Sequence, residues 1–168
     1  MNTLKDLIWA DIKSPIMGPQ EYLKKSGEKK EVMENYENYA VDKDAIKKIK
    51  DYLRKNNKII KFFAIGAVWC PDCNVNIPRM IKILEEFDDI EFKILYGVKV
   101  DVYKKKNKKK IAWNAKHSPP EAVNPKFDLL KIPTIYIFSK EGKLINRIVE
   151  NPREGSTLEE DTAFYLEN

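Results

Sequence analysis

The sequence has very few of the side chains that hold metals or cross-link small folds, with two cysteines and one histidine among 168 residues. The two cysteines, Cys70 and Cys73, stand in a single Cys-x-x-Cys pair. A tetrahedral zinc site needs four ligands, which one such pair and one distant histidine cannot easily supply. We therefore expect no bound metal, and the spacing favours catalytic thiol chemistry over a structural role.

Long apolar runs are also missing. Near the start of the chain, Lys5 and Asp6 interrupt the apolar stretch that a secretory signal needs. No run approaches the length required to span a bilayer. We therefore expect a cytoplasmic protein without a membrane partner, in a compartment where thiols stay reduced.

The composition favours one folded domain, or one domain with an extension. Hydrophobic residues make up 43% of the chain and aromatic residues 11%, which argues against a disordered chain. The net charge of +5 is a modest excess of 31 basic over 26 acidic side chains. The lysine run at Lys104–Lys110 has no interleaved aromatic residues for base stacking, so we expect a solvated surface and no nucleic-acid partner.

The cysteine pair follows an apolar run and precedes an amphipathic segment. The run Ile59–Ile65 is typical of a buried strand, and the segment after the pair places its apolar residues on one side of a helix. Pro78 lies inside this helix and is expected to kink it. A helix N-terminus carries unpaired N–H groups and the positive end of the dipole, both of which favour a thiolate. The junction can therefore support reversible disulfide chemistry.

The residues before this strand are predicted to be helical. The first helix is predicted from residues that share one face, namely Leu4, Leu7 and Ile8. Pro19 can start a second helix, which Gly27 interrupts. Asp42 is a suitable N-cap for a third helix that ends near Asn56.

Further strands and a last helix are predicted after the cysteine helix. Glu91–Val102 is predicted to be a strand and Lys126–Leu130 a short helical turn. Thr134–Ser139 and Lys143–Glu150 are two strands joined by a hairpin at Gly142. The residues predicted for the last helix are its N-cap, Ser156 or Thr157, and the packed positions Leu158, Phe164 and Leu166.

Three features together resemble the thioredoxin superfamily: Trp69-Cys70-Pro71-Asp72-Cys73, Pro78 in the following helix, and Ile132-Pro133-Thr134 before a later strand. The resemblance runs from Lys58 to Leu166 and implies an α/β thioredoxin-like fold, a four-stranded mixed sheet flanked by helices. The N-terminal residues resemble the helical extension that replaces the usual first strand in some thioredoxin-like proteins. The implied organisation is a helical extension at residues 1–41, packed on a thioredoxin-like domain at residues 42–168 with an insertion at about 103–124.

The resemblance also assigns roles to residues of the site. Cys70 is the nucleophile and Cys73 resolves the mixed disulfide, so the Cys70–Cys73 disulfide is the redox centre and no separate cofactor is expected. Pro133 is expected to have a cis peptide bond and to face the cysteines. Pro71 removes an N–H that could stabilise the thiolate, and the charge of Asp72 is expected to raise the pKa of Cys70. Substrate contacts are expected from Trp69, Ile132, Pro133 and Thr134.

These features predict a thiol–disulfide oxidoreductase, and most directly a cytosolic protein disulfide reductase. Its expected partners are protein or small-molecule disulfides as substrates. A thiol reductase or a dithiol donor is expected to supply the electrons.

Departures from the family pattern leave alternatives open. The buried acid that assists proton transfer in thioredoxins falls on Ala64 here, which favours a binding or redox-sensing module with little turnover. Glu150 is a candidate for part of the role of that acid, although an exposed strand-end Glu is the more common case. Metal delivery is a third alternative, and it predicts copper or zinc retained after purification.

Overall fold

Residues 4–104 and 110–168 are described by a computed structural model. The described residues form nine regular elements, which are, in chain order, α1 (Pro19–Ser26), α2 (Lys30–Asn38), α3 (Lys43–Lys55), β1 (Ile60–Ile65), α4 (Pro71–Leu84), β2 (Phe92–Leu95), β3 (Thr134–Ser139), β4 (Leu144–Val149) and α5 (Leu158–Glu167). Short 3-10 turns lie at Leu4–Asp6, Trp9–Asp11 and Pro120–Ala122.

The four strands form one mixed sheet in the order β2-β1-β3-β4. The β1–β2 pair is parallel, whereas the β1–β3 and β3–β4 pairs are antiparallel. The central strands β1 and β3 are buried along almost their whole length. Helices flank the sheet, with α2 packed on α4 and α5 packed on both α3 and β4. The four-stranded mixed sheet flanked by helices that the sequence predicts is confirmed.

Local signals in the sequence account for several boundaries. Asp42 caps α3, because its Oδ1 accepts the N–H groups of Asp44 and Ala45 at 3.0 and 3.2 Å. Thr157 caps α5 through the N–H of Glu160. Gly142, with a φ of 99°, makes the tight turn between β3 and β4 that the hairpin signal predicts.

The prediction of a first helix near Leu4 was wrong. Its residues form two 3-10 turns separated by Ile8, which is extended and forms an antiparallel bridge with Lys143 of the hairpin. The Trp9 N–H donates to the Gly142 carbonyl at 2.9 Å, and the Trp9 ring packs edge to face on Phe138. Contacts with the hairpin therefore use the backbone groups that a helix would need.

Two predictions after α4 were wrong in their bounds. The strand predicted over Glu91–Val102 is limited to β2, because Gly97 has a φ of 112°, outside the range of a strand. The turn predicted over Lys126–Leu130 begins earlier in the chain, where the N–H groups of Phe127 and Asp128 donate to the carbonyls of Asn124 and Pro125 at 3.0 and 3.1 Å. Its Asp128 has a φ of 42°, and the carbonyl of Asp128 accepts a hydrogen bond from the Arg147 side chain at 2.6 Å.

The packed face of α5 is partly different from the prediction. Leu158 and Leu166 are buried as expected. Phe164 is 41% exposed, and its ring instead stacks on the guanidinium of Arg153, with Cζ 3.8 Å from the ring centroid. The position of Phe164 on the helix was therefore not enough to show that its ring lies at the surface and not in the core.

The N-terminal residues contribute to the same core as the sheet. Leu7, Tyr22 and Val32 belong to the buried cluster that includes β1 and β3, and Met17 pairs with Ile94 at the edge of β2. The division into an extension at 1–41 and a domain at 42–168 stays a prediction. Residues 105–109 of the lysine run and of the predicted insertion lie outside the described residues.

Candidate active site

The end of β1 and the start of α4 position the two cysteines. Cys70 is the N-cap of α4, and its Sγ accepts a hydrogen bond from the backbone N–H of Cys73 at 3.2 Å. Pro71 is the first helical residue, where a missing N–H costs no helical hydrogen bond. The sulfur of Cys70 therefore uses one of the N–H groups that a helix N-terminus leaves unpaired.

Gly66 allows Cys73 to pack closely under the end of the strand. A Cβ at Gly66 would lie 3.0 Å from the Cys73 Sγ and 2.9 Å from Cε1 of Tyr96, which is too close for a larger residue without displacement. Tyr96 reaches this position because β1 and β2 are parallel neighbours. The Gly66 N–H donates to the Leu95 carbonyl at 2.9 Å, so the residue after Leu95 emerges beside the cysteine loop.

The two thiols differ in burial and in acidity. Cys70 is 4% exposed, Cys73 is fully buried, and both are free thiols. A hydrogen bond from the Cys73 thiol lowers the pKa of Cys70 against the opposing effect of burial, with help from backbone N–H groups. Burial raises the pKa of Cys73, and the interaction with Cys70 adds to this increase. Cys70 therefore loses its proton first, which equips it for nucleophilic attack.

The loop before β3 contacts Cys70 directly. The Ile132–Pro133 peptide bond is cis, and the Cys70 thiol donates to the Ile132 carbonyl with an Sγ–O distance of 3.6 Å. The Thr134 hydroxyl donates to the Lys131 carbonyl at 2.7 Å, and the side chains of Ile132 and Thr134 are buried. Substrate contacts were predicted for the main chain and the side chains of these two residues. Main-chain contacts fit this arrangement better, because the side chains are buried.

Trp69 and the dipeptide between the cysteines form the exposed rim of the site. Trp69, the residue before Cys70, is 45% exposed, and its indole N–H donates to the Val98 carbonyl at 2.9 Å, which anchors the ring to the chain after β2. Pro71 is exposed and Asp72 is partly exposed. The charge of Asp72 raises the pKa of Cys70, but this effect is smaller than that of the Cys73 hydrogen bond, so the net shift is downward.

Asp72→Asn is expected to lower the pKa of Cys70 further, because the substitution removes a nearby negative charge and keeps the backbone N–H. Below the titration midpoint, the alkylation rate of Cys70 is then expected to rise about twofold. The measurement is the pH dependence of iodoacetamide labelling. Asp89→Asn makes the same charge change at an exposed residue beyond the far end of α4 and is the matched control. An unchanged midpoint in Asp72→Asn would contradict the prediction.

The strand before the cysteines, β1, contains no acidic residue. Ala64, the position at which an acid was expected from the family pattern, is fully buried. The structure brings the backbone of Glu150 to the Pro133 loop, where its N–H donates to the Pro133 carbonyl at 2.6 Å. The carboxylate of Glu150 pairs with Lys131 at 3.9 Å and is about one-third exposed. That Glu150 takes over part of the role of the missing acid stays a prediction.

Sequence reasoning missed two buried asparagines on α4 that connect the cysteine helix to its surroundings. Asn76 donates to the carbonyl of Glu150 and to Oδ1 of Asn151, both at 2.9 Å. Asn74 donates to the Glu31 carboxylate at 2.9 Å, which joins α4 to α2. The available signal was the presence of these asparagines on the helix that follows the cysteine pair. A buried amide has hydrogen-bond partners, so each of them marks a contact between this helix and a neighbouring element.

Among residues 4–104 and 110–168, no group of three or more His, Cys, Asp or Glu side chains is placed to hold a metal ion. His117 is exposed on a loop, where its backbone N–H donates to Asn114. Within the same described ranges, no helix combines the length and the apolar character that crossing a membrane requires.

The fold has counterparts among solved structures. The crystal structure of an HIV epitope-scaffold matches with a TM-score of 0.51 and 16% sequence identity, over 96% of this chain and 85% of that chain. A protein of unknown function from Pseudomonas aeruginosa matches with a TM-score of 0.51 and 16% identity, over 89% of this chain and 76% of that chain. Identities this low establish similarity of fold alone.

Sequence comparison identifies the family. No curated protein matches the chain significantly. The thioredoxin family model matches residues 16–112, which is more than half of the chain and includes the cysteine pair together with β1, α4 and β2. The chain therefore belongs to the thioredoxin family.

Proposed function

We propose that this protein is a thiol–disulfide oxidoreductase that works chiefly as a reductase of disulfides. The observation that carries the proposal is the unequal thiol pair at the N-terminus of α4. The pKa of Cys70 is lowered by its hydrogen bond from Cys73, whereas burial raises the pKa of Cys73. Such a pair offers one sulfur for attack and keeps the other protonated until it is needed.

Reduction proceeds through two exchange steps. The Cys70 thiolate attacks one sulfur of the substrate disulfide, so a Cys70–substrate bond forms as the substrate S–S bond breaks, and the leaving thiolate takes a proton from solvent. Cys73 then loses its proton and attacks the Cys70 Sγ. This forms the Cys70–Cys73 disulfide and releases the second substrate thiol, so an electron pair has passed from the protein to the substrate.

The cycle requires a donor and a route to a nearly buried sulfur. A dithiol or a thiol reductase returns the electron pair to the Cys70–Cys73 disulfide, without a metal or an organic cofactor. Substrates are protein or small-molecule disulfides that approach past the exposed rim at Trp69 and Pro71. Net reduction needs a compartment that keeps thiols reduced, so a cytoplasmic location is part of the proposal.

We expect the protein to accelerate the reduction of a protein disulfide by dithiothreitol at least about tenfold over dithiothreitol alone, since each turnover passes through the more acidic thiol. The measurement is the initial rate of thiol release at several protein concentrations. A rate no greater than that of dithiothreitol alone would contradict the proposed activity.

A binding or redox-sensing module is the second candidate. It is favoured by the absence of an acid in β1 and by the burial of Cys70, of which only 4% is exposed. Such a module exchanges its thiols stoichiometrically with an oxidant but gives no catalytic turnover in the dithiothreitol assay. Metal delivery, the third alternative, is tested by the copper and zinc content of the purified protein.

A further inference from the structure

Two tyrosines that contact each other lie near the buried sulfur of Cys73. Tyr96 shares with Cys73 the space over Gly66, where an added Cβ would meet the ring at 2.9 Å and the sulfur at 3.0 Å. Tyr22, fully buried on α1, meets Tyr96 edge to face with ring centroids 5.3 Å apart. The first helix of the fold therefore reaches the thiol side of the sheet through this aromatic pair.

The hydroxyl groups of this pair form a chain. Tyr96 Oη donates to Tyr22 Oη at 3.2 Å. Ser26 follows one helical turn after Tyr22 on α1, so its hydroxyl lies on the same face of the helix, where it lowers the pKa of Tyr22. Tyr96 and Ser26 both line a cavity of about 450 Å³, whose wall also includes the exposed Lys25. The chain therefore leads from the surroundings of Cys73 to a cavity bounded by surface residues.

Both hydroxyls stay protonated in the pH range of thiol chemistry. Burial raises the pKa of Tyr22 to about 12, and burial also raises the pKa of Tyr96. A negative charge on Cys73 raises the pKa of both tyrosines, so the sulfur and the two hydroxyls are close enough to interact electrostatically. A neutral hydroxyl accepts and donates at once and can pass a proton on without holding a charge.

Cys73 needs such a path more than Cys70 does. Its burial raises its pKa, yet its proton must leave before its sulfur can attack the mixed disulfide. The preceding strand β1 provides no carboxylate to accept this proton. The sulfur interacts with the Cys70 thiol and with the backbone of Ala67, and the ring of Tyr96 lies beside it over Gly66.

We propose that the Tyr96–Tyr22 hydroxyl pair carries the proton of Cys73 to solvent in the adjoining cavity, a role that rests on the proposed function. The S–H bond of Cys73 breaks as its sulfur bonds to Cys70 and the substrate sulfur leaves. The Cys73 proton moves onto Tyr96, the Tyr96 proton onto Tyr22, and the Tyr22 proton to Ser26 and solvent. When a donor reduces the Cys70–Cys73 disulfide, Cys73 regains its proton along the same chain in reverse.

The charged groups around this path come from three elements, of which α2 contributes Glu31, whose carboxylate accepts a hydrogen bond at 2.9 Å from Asn74 in the cavity wall. Lys25, Glu28 and Lys29 line the cavity from the end of α1 and the turn that follows it, and Lys29 Nζ donates to the Val68 carbonyl at 2.7 Å. On α4, the charge of Asp72 adds to the increase in the pKa of Cys73. None of these groups belongs to the hydroxyl chain, so substitutions within the tyrosine pair change the path and leave the charges in place.

A single-turnover reaction with an aromatic disulfide whose thiolate is coloured tests the path. Attack by Cys70 releases one thiolate and attack by Cys73 releases the second, so the two steps are observed separately. We expect Tyr96→Phe to leave the first release unchanged and to slow the second about tenfold near neutral pH, less than the roughly hundredfold contribution of a direct general base. The deficit is expected to shrink as pH rises, because hydroxide then removes the Cys73 proton directly. Tyr22→Phe, one link further along, is expected to slow the same release.

Tyr136→Phe is the matched control, since Tyr136 is fully buried and its hydroxyl donates to the Phe127 carbonyl at 2.6 Å on another element. It is expected to leave both releases unchanged. Wild-type rates at every pH in both Tyr96→Phe and Tyr22→Phe would overturn the proposal. An equal loss in both releases at all pH values would also overturn it, because such a loss indicates a structural role. The same holds if Glu150→Gln slows the second release and the two tyrosine variants do not.

The outcomes for the tyrosine path and for the reductase activity are separable. The two releases require one exchange each and no turnover, so they are measurable even in a module that does not catalyse reduction. Failure of the wild-type protein in the dithiothreitol assay contradicts the reductase activity, whereas an unchanged second release in the tyrosine variants contradicts the proton path.

Discussion

Cys70→Ser is expected to abolish all catalysed disulfide reduction and to return the rate to that of dithiothreitol alone. A serine hydroxyl is not ionised near neutral pH and forms no disulfide, so the first exchange step cannot begin. Cys73 cannot replace it, because its sulfur is fully buried and burial raises its pKa. The measurement is the initial rate in the dithiothreitol assay, with wild-type protein at the same concentration.

The substitution is also expected to leave the fold intact, so the loss is chemical. Serine is a favourable N-cap, and its Oγ can accept the Cys73 N–H in place of the Cys70 sulfur. The free energy of unfolding is expected to change by no more than about 1 kcal/mol, the size of a cap effect. Turnover that persists in a folded Cys70→Ser protein would show that the activity comes from elsewhere in the chain.

The parts of the fold around Cys70 were predictable because their signals are local. A short apolar run defines β1, and Pro71 at the first helical position together with an apolar stripe defines α4. The cap of α3 by Asp42 and the turn at Gly142 likewise depend on residues within a few positions of each other. Each of these signals lies within a few residues of the feature that it predicts.

The start of the chain was not predictable by the same reasoning. Leu4, Leu7 and Ile8 have helical spacing, but Ile8 pairs with Lys143, a residue far away in the sequence. Leu7 is fully buried in the common core, so its burial agrees with the pattern even though the backbone does not. Apolar spacing in a short segment predicts which residues are buried better than it predicts the hydrogen bonds of their backbone.

The site residues that are close in sequence were predictable, whereas those that come from distant parts of the chain were not. The sequence identifies Cys70 and Cys73 by spacing, but Tyr96 joins them only through the parallel pairing of β1 with β2. Because the carboxyl ends of parallel strands meet at one edge of a sheet, the residue after β2 was a candidate once the pairing was known. The burial of Cys70 depends in the same way on its contact with the Ile132 carbonyl, from a distant loop.

The burial of both sulfurs sets a limit on what the site can accept. In the proposed reaction a substrate disulfide would reach Cys70 past the exposed Trp69 and Pro71, so we expect small disulfides and extended protein segments to react faster than disulfides inside a rigid fold. The same burial keeps the two thiols coupled, since the Cys73 thiol is the main hydrogen-bond donor that lowers the pKa of Cys70. The Cys73 side chain therefore contributes to both steps of the proposed exchange.

Cys73→Ser is expected to stop the cycle after the first step and to accumulate a mixed disulfide on Cys70. Without the Cys73 sulfur, no internal attack can release the substrate, so the covalent intermediate persists until an external thiol removes it. The first step is expected to proceed, because the serine hydroxyl can donate to the Cys70 sulfur in place of the Cys73 thiol. The measurement is the mass of the protein after incubation with a disulfide of known mass, which should increase by one substrate half.

Cys70→Ser is the matched control for this trap, and it is expected to gain no mass under the same conditions because Cys73 is fully buried. Reducing agent should remove the adduct from Cys73→Ser and restore the original mass. An adduct of equal yield on both variants would mean that either sulfur can attack, and the assignment of Cys70 as the nucleophile would then be wrong. Because the result depends only on which sulfur a disulfide can reach, it tests the order of the two steps independently of turnover.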